Sequence, residues 1–322
     1  MNKIVLMSIL GVALVGIFVI KRMQKPAGNA RYTIGILQTA SHPALDAARE
    51  GFMQELQSTL GNEVAFVIQN AQGSVSQAHS IAQQFHANKK MNGFFAIATP
   101  AAQAMSAVEK ERPIIISAVT DPHALGIIHP TTNVCGTKDM IDVKAEIDML
   151  LHLVPHAHHV GLVYTSGEVN SRVLSKLMRK ELEARGIVVS DFAFGSEADV
   201  HAMVELACRK ADVILAPTDN TVASTIAVIA ATALKHKKPL FVSDNMLVKS
   251  GALAARGVDY KTGGKRAAQI AHEVIVEGKK PFEVPVEQPT CEQIFINQTT
   301  LEALGLTIPP ELHNQVVLEE KR

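Results

Sequence analysis

From Tyr32 onward, short apolar runs alternate with longer amphipathic stretches along almost the whole chain. The runs are four to seven residues, which is strand length, and the stretches between them are helix length. Continuous apolar runs are the mark of strands covered on both faces, so the pattern calls for parallel sheets flanked by helices, an α/β class. Strands are predicted at 32–37, 63–69, 93–98, 114–117, 159–164, 188–193, 213–216 and 240–243. Helices are predicted at 43–59, 74–86, 101–109, 143–153, 170–185, 199–209, 221–236 and 263–277. Many of the helices have Ser, Thr or Asn near the start and Gly after the end, as caps require.

About four strand–helix units precede Leu150 and about four follow it, which reads as two similar halves of ordinary domain size. Residues 134–142 would carry the chain from one half to the other, and residues 251–259 would carry it back. Crossings at several points make a hinge about which two lobes can close.

Composition narrows the ligand. Lys+Arg and Asp+Glu balance at 31 each, so no net field favours nucleic acid or an acidic membrane. Aromatic residues are 4% with no Trp, which leaves few stacking platforms for a single strand. No nucleic-acid partner is expected, and a small ligand is favoured over a polymer. Cys135, Cys208 and Cys291 form no C-x-x-C pair and are read as buried small hydrophobes.

Residues 4–20 are apolar apart from Ser8, Gly11 and Gly16, with Lys3 before them and Lys21, Arg22 and Lys25 after. A helix of this length reaches about 25 Å, slightly short of the roughly 30 Å hydrocarbon core. It is a signal peptide or a short anchor. Gly28-Asn29-Ala30 has the small residues of a cleavage site, but the basic residues between run and site favour an uncleaved anchor with residues 31–322 outside the cytoplasm. The positive-inside rule opposes that orientation.

Ligands of open α/β sheets bind beyond the carboxyl ends of the strands. The loops there are Gln38 to Pro43, Thr99-Pro100-Ala101 and Ala118 to Pro122 in the first half. In the second half they are Thr165 to Ser171, Pro217 to Thr221 and Asp244-Asn245. Both halves present small hydroxyl and amide residues and the second adds acids, which suits an α-amino acid. A carboxylate would sit on helix N-termini near Thr99 or Ser171. An ammonium would pair with Asp219, Asp244, Asp121 or Glu168. The plainer reading makes Thr99, Ser171 and Thr221 caps and Asp121 the start of a turn before Pro122.

Other motifs carry less. His152, His156, His158 and His159 cluster at the opposite end of the sheet without a local carboxylate or cysteine, so no metal or cofactor is expected. Gly263-Gly264-Lys265 fits neither phosphate-loop spacing. No G-x-S-x-G elbow or evident nucleophile–base pair marks an enzyme.

Several strings together resemble one family. They are Ile34-Gly35-Ile36 with His42 to Asp46 and Glu50-Gly51-Phe52, then Asn70 to Gly73, Ala98 to Gln103 and Ser117 to Pro122. Tyr164, Ser166-Gly167-Glu168, Asn170-Ser171, Pro217 to Val222, Ser243-Asp244 and Ser250 to Ala254 continue in order. Over about 31–310 the chain resembles ABC-transporter substrate-binding proteins of the tryptophan/tyrosine type. The resemblance implies a type I periplasmic-binding fold, two Rossmann-like lobes with parallel sheets joined by a multi-strand hinge.

On that frame, 1–30 is the signal or anchor, 31–138 plus 251–284 the first lobe, 139–250 plus 285–312 the second, and 313–322 a tail. The implied partners are a small ligand, an aromatic amino acid in characterised relatives, together with a permease and an ATPase. The implied location is periplasmic or otherwise extracytoplasmic, tethered by residues 4–20. Site residues carried over are Gln38, His42, Thr99, Pro100, Thr120, Asp121, Tyr164, Ser166, Glu168, Asn170, Ser171, Asp219, Asn220 and Asp244. With no Trp and three Tyr, stacking on the ligand would rest on Tyr164, His42 or a Phe. A sensor domain of the same fold and a cleft enzyme such as an amino-acid isomerase are the alternatives. The lack of a lipoprotein cysteine after the apolar run departs from many relatives.

Overall fold

The computed structural model describes residues 30–289 and 292–320. The apolar run at 4–20, the candidate cleavage site up to Asn29 and Cys291 lie outside them. Among the described residues, no helix is long and apolar enough to cross a membrane.

The first sheet is built from β1 (Tyr32–Gln38), α1 (Pro43–Leu60), β2 (Val64–Asn70), α2 (Val75–Ala87), β3 (Gly93–Ile97), α3 (Thr99–Val108), β4 (Ile114–Val119) and β5 (Val134–Lys138). Its strands run parallel in the order β2-β1-β3-β4-β5. β3 and β4 are buried along their whole length, which is why they read as unbroken apolar runs.

The second sheet begins with α4 (Val143–Leu153), β6 (His159–Thr165), α5 (Val169–Glu183), β7 (Val188–Phe194), α6 (Val200–Lys210), β8 (Val213–Ala216), α7 (Asn220–Lys235), β9 (Leu240–Val242) and β10 (Ala254–Ala255). The chain then returns to the first lobe with α8 (Tyr260–Ala271), and finally adds β11 (Ile294–Asn297), α9 (Gln298–Ala303) and β12 (Val316–Glu319) to the second. The strand order is β12-β11-β10-β9-β8-β6-β7, with only the β10–β11 pairing antiparallel among these strands.

Four boundaries differ from the sequence reading. One is the expected start of the second lobe's last piece at 285, since Glu287 exchanges backbone hydrogen bonds with Gly136 and Lys138 of β5. Residues 134–138 are a full strand of the first sheet, so the crossing is confined to 139–142. Ala254 and Ala255 pair with β9 and β11, which places them in the second lobe rather than the first. The expected tail at 313–322 supplies β12, paired in parallel with β11. The chain changes lobe at 139–142, at 256–259, and between Glu287, which bridges to Thr137, and Ile294.

α1 and α8 cover one face of the first sheet, where Phe52 stacks on Phe95 with ring centroids 3.8 Å apart. α2 and α3 cover the other. α1 and α8 cross at unusually short range. A Cβ on Gly264 would stand 2.0 Å from the Ala48 carbonyl oxygen, and one on Gly51 would stand 2.3 Å from that of Lys261. Gly51 and Gly264, not Gly263, thus serve backbone approach between the helices.

Candidate functional site

Seven strands of the two sheets, β1, β3, β4, β5, β6, β8 and β9, end on a common cleft, where a central chamber is enclosed by both lobes. The first lobe contributes His42 and Leu45 from the start of α1, Ala98 and Thr99 after β3, Ala118 and Thr120 at the end of β4, and Tyr260 from α8. The second contributes Asn170, Thr218, Asp219, Asn220 and Asp244, while Asp139 lies on the first crossing. The chamber is only about 10 Å³, room for no more than one water. Beside it lies an apolar chamber of about 70 Å³ walled by Ala124, Leu125, Val169 and Val173, which shares Thr99, Thr120 and Asn170 with the first.

Six buried side-chain atoms around the central chamber have no hydrogen-bond partner. They are His42 Nδ1, Thr99 Oγ1, Thr120 Oγ1, Asp139 Oδ1, Asn170 Oδ1 and Thr218 Oγ1. Thr120 sits beside Asp139, and Thr218 beside the Tyr260 hydroxyl, without reaching hydrogen-bond geometry. A buried unpaired polar group costs about 1–3 kcal/mol, and folds normally satisfy nearly all of them. Their concentration from both lobes in one place is what a polar ligand group would relieve.

Backbone strain gathers at the same point. Ala98 has φ 74° and ψ 163°, and Ala118 has φ 58°. Side chains are rare in such conformations, and each costs about 1–3 kcal/mol. The two alanines sit at the carboxyl ends of neighbouring strands, held by the Ala98 amide donating to the Ser117 carbonyl at 2.9 Å.

On the second lobe two carboxylates are fully engaged. Glu168 accepts from Asn170 Nδ2 at 3.0 Å, from the Asn220 amide at 3.1 Å and from Asn220 Nδ2 at 2.6 Å. It also accepts from the amide and hydroxyl of Thr221, both at 3.2 Å. Asp219 caps α7 through the amides of Thr221 and Val222, and accepts from Thr165 N, Thr165 Oγ1 and Ser171 Oγ. Burial and the neighbouring Glu168 push Asp219 above the ordinary carboxylate range, against the pull of these donors.

At the hinge the acids are less well served. The Tyr260 hydroxyl donates to Asp139 Oδ2 at 3.2 Å, and the Met246 amide donates to Asp244 Oδ1 at 2.8 Å. Burial pushes Asp139 up to about 6 and Asp244 up to about 7, the latter helped by Asp139. Behind them Ser243 donates its hydroxyl to Glu146, at 2.9 Å from Oε1, and burial pushes Glu146 up to about 8.

Of the residues named from sequence, the structure brings His42, Thr99, Thr120, Asn170, Asp219, Asn220 and Asp244 to the central chamber. Glu168 and Ser171 stand behind it, bonded to Asn220 and Asp219. Asp121 stands at the edge of the apolar chamber, its carboxylate receiving the Ala124 amide at 2.9 Å, the turn role of the plainer reading. The others lie elsewhere. Gln38 spends its side chain on Ala40, Asp46 and Arg49. Pro100 stays in the first turn of α3, Ser166 donates to the Phe194 carbonyl, and Tyr164 packs on the core of the second lobe. Stacking through Tyr164 is therefore not offered to the chamber.

The helix starts also differ from expectation. Ala98, not Thr99, is the cap of α3, which frees the Thr99 hydroxyl. Ser171 and Thr221 lie inside their helices, with Glu168 at the start of α5 turned toward α7 and Asp219 capping α7. Asp139 and Tyr260 were not anticipated, and Thr218 was named only as part of its loop. Asp139 directly follows β5, so recognising that strand would have exposed it by the same carboxyl-end rule.

The histidines at 152–159 make local contacts, such as His159 Nε2 with Ser190 Oγ at 2.9 Å. No group of three or more His, Cys, Asp or Glu among the described residues is placed to hold a metal. Cys135 and Cys208 are buried, and burial pushes their thiols up to about 12 and about 11.

Residues 33–317 match the family described as ABC transporter substrate binding protein. The chain belongs to this family. Its lobes form the type I periplasmic-binding fold. A tyrosine-binding protein of Clostridioides difficile is 33% identical over 290 residues, 88% of this chain and 84% of the relative. The structure of an ABC domain from Streptococcus pneumonia in complex with L-Trp is 29% identical, with a TM-score of 0.85 over 90% of this chain and all of that one. The ligand-free, open structure of a Clostridium difficile substrate binding protein with adhesive properties is 32% identical, with the same coverage and a TM-score of 0.68. At similar identity, the better fit to the complex places these lobes nearer the ligand-bound arrangement than the open one.

Proposed function

We propose that this substrate-binding protein captures an α-amino acid with an apolar side chain, aromatic ones included, and delivers it outside the cytoplasm to an ABC permease, tethered by residues 4–20. The observation that carries the reading is the set of six unpaired buried polar atoms meeting beside an apolar chamber. A ligand with a polar head and an apolar side chain matches that division. Its carboxylate is suited to the N-terminal turn of α3, with Thr99, Thr120 and Thr218 as hydroxyl donors, since the amides that open α7 are already taken by Glu168 and Asp219. Its side chain is suited to the space among Leu125, Val169 and Val173. The tyrosine and tryptophan in the descriptions of two relatives support the same class.

A central chamber this small requires the lobes to part before a ligand enters, and reclosure then shields the charges from water. The test is a melting-temperature panel. The purified protein is unfolded and refolded to strip carried-over ligand, then heated with each amino acid in turn. A ligand at a hundred times its dissociation constant adds about 2.7 kcal/mol. A rise for Trp, Tyr, Phe or the large aliphatic amino acids is expected, and a flat response across the panel refutes the reading.

A further inference from the structure

Four carboxylates were candidates for an ammonium from sequence, and the structure occupies three of them. Glu168 and Asp219 are each surrounded by donors from their own lobe. Asp121 is half-buried and closes its own turn. The hinge is different. Asp139 lines the chamber and is 2% exposed, and its Oδ1 has no hydrogen-bond partner. Asp244 lines the same corner and is 4% exposed. The Thr120 hydroxyl beside them is also unpaired.

No Lys or Arg lines this chamber among the described residues. The titratable groups facing the corner are Tyr260 from α8, His42 from α1, Asp219 from α7 and, through Ser243, Glu146 from α4. His42 is the one base among them, and burial lowers it so that it stays neutral at ordinary pH. The corner is therefore rich in carboxyl groups and lacks a countercharge.

We propose that Asp139, on the first crossing, and Asp244, beside it at the end of β9, bind the ammonium of the ligand, and that capture drives protons off this corner into solvent. The proposal rests on the amino-acid reading above. Each acid that ionises gives its O–H proton to water, and an N–H of the ammonium takes that proton's place against the oxygen. The ligand keeps its own charge, and no covalent bond to it forms or breaks. Tyr260 keeps its proton and stays a donor, because burial and the two carboxylates raise it well above the ordinary phenol range.

The experiment is calorimetric titration of the purified, ligand-stripped protein with L-Trp, L-Tyr and L-Phe and with their deaminated analogues. It is run at about pH 8 and about pH 5.5, in buffers of different ionisation enthalpy, so that bound or released protons appear in the heats. Amino-acid affinity is expected to fall about tenfold or more from the higher to the lower pH, with about one proton released per ligand at the lower. The deaminated analogues should bind more weakly and without that dependence. Asp139→Asn and Asp244→Asn should each flatten the pH dependence and weaken the amino acids more than the analogues. The wild-type proton count stands by itself if a variant does not fold. Tight amino-acid binding that is equal at both pH values, with no proton exchange, overturns the proposal. Failure of every amino acid to bind at either pH instead removes the reading on which it rests.

Discussion

His42 Nε2 of the first lobe lies 3.3 Å from Asn220 Oδ1 of the second, a direct contact across the cleft. The Asn220 amide nitrogen is committed to Glu168 at 2.6 Å, so its oxygen faces the imidazole. His42 must then carry its proton on Nε2 and donate, which leaves Nδ1 as a bare acceptor in the chamber. Glu168 thus orients Asn220, and Asn220 fixes the histidine tautomer that a ligand meets. Asn220→Ala is expected to destabilise the protein by about 1–3 kcal/mol and to favour the open form. Denaturant unfolding and solution scattering measure the two effects. An unchanged scattering profile and midpoint would mean the contact does not hold the lobes.

Asp219 is a scaffold more than a ligand group. Asp219→Ala removes the cap of α7 and strands donors from Thr165, Ser171 and Val222. The loss should be about 2–4 kcal/mol by urea unfolding. A loss of binding with no change in stability would contradict that role.

The ligand-free protein should be most stable in mild acid. Asp139 at about 6, Asp244 at about 7 and Glu146 at about 8 are all raised, so the folded state holds protons that the unfolded chain has shed. Their contribution is complete below the ordinary carboxyl range and disappears as pH rises through those values. Glu109 works the other way. Its burial is outweighed by the amides of Arg112 and Glu111 and by the His86 and Arg112 side chains, which bring it down to about 2. Its contribution is present above the ordinary range and lost as pH falls toward that value. Tm followed against pH should peak at about pH 4, in the ordinary carboxyl range that separates these two sets. A Tm rising steadily to pH 8 in the ligand-free protein would count against it.

The two neighbouring glycines of α8 should respond differently to alanine. At Gly264 the added methyl meets the Ala48 carbonyl and must part α1 from α8, a loss of about 1–3 kcal/mol. At Gly263 its nearest neighbour is Pro289 Cγ at 3.4 Å, an ordinary contact, and the change should be close to neutral. Equal effects at both positions would mean that the helix crossing is not set by Gly264.

The apolar chamber should decide which side chains are accepted. Val173→Phe fills its wall and is expected to weaken aromatic amino acids by about tenfold or more while sparing smaller ones. Parallel titrations of Trp, Leu and Ala compare the sizes. An unaltered preference would place the ligand side chain elsewhere.

The alternating pattern was readable because β3 and β4 are buried on both faces and show as apolar runs. β10 was not, since two alanines have no strand signal of their own and become a strand only between β9 and β11. β5 was hidden for a related reason, its Cys-Gly-Thr-Lys ending looking like a connection. The chamber residues at strand ends followed from the carboxyl-end rule, as His42, Thr120 and Asp244 illustrate. What composition and spacing cannot convey is occupancy. That Glu168 is saturated by partners 52 and 53 residues away, while Asp139 keeps an empty oxygen, depends on how the halves meet.

Asp139 sits on the first crossing and Tyr260 directly follows the second, so both lie close to the axis about which the lobes swing. Groups near a pivot travel little, whereas His42 and Asn220, each carried on the body of its own lobe, separate when the lobes part. A ligand can therefore dock on the pivot while the jaws are apart, and those two residues arrive afterwards. Arrival and retention become separable quantities. Changes at Asp139 should register chiefly in the association rate, and changes at His42 or Asn220 in how long the ligand stays.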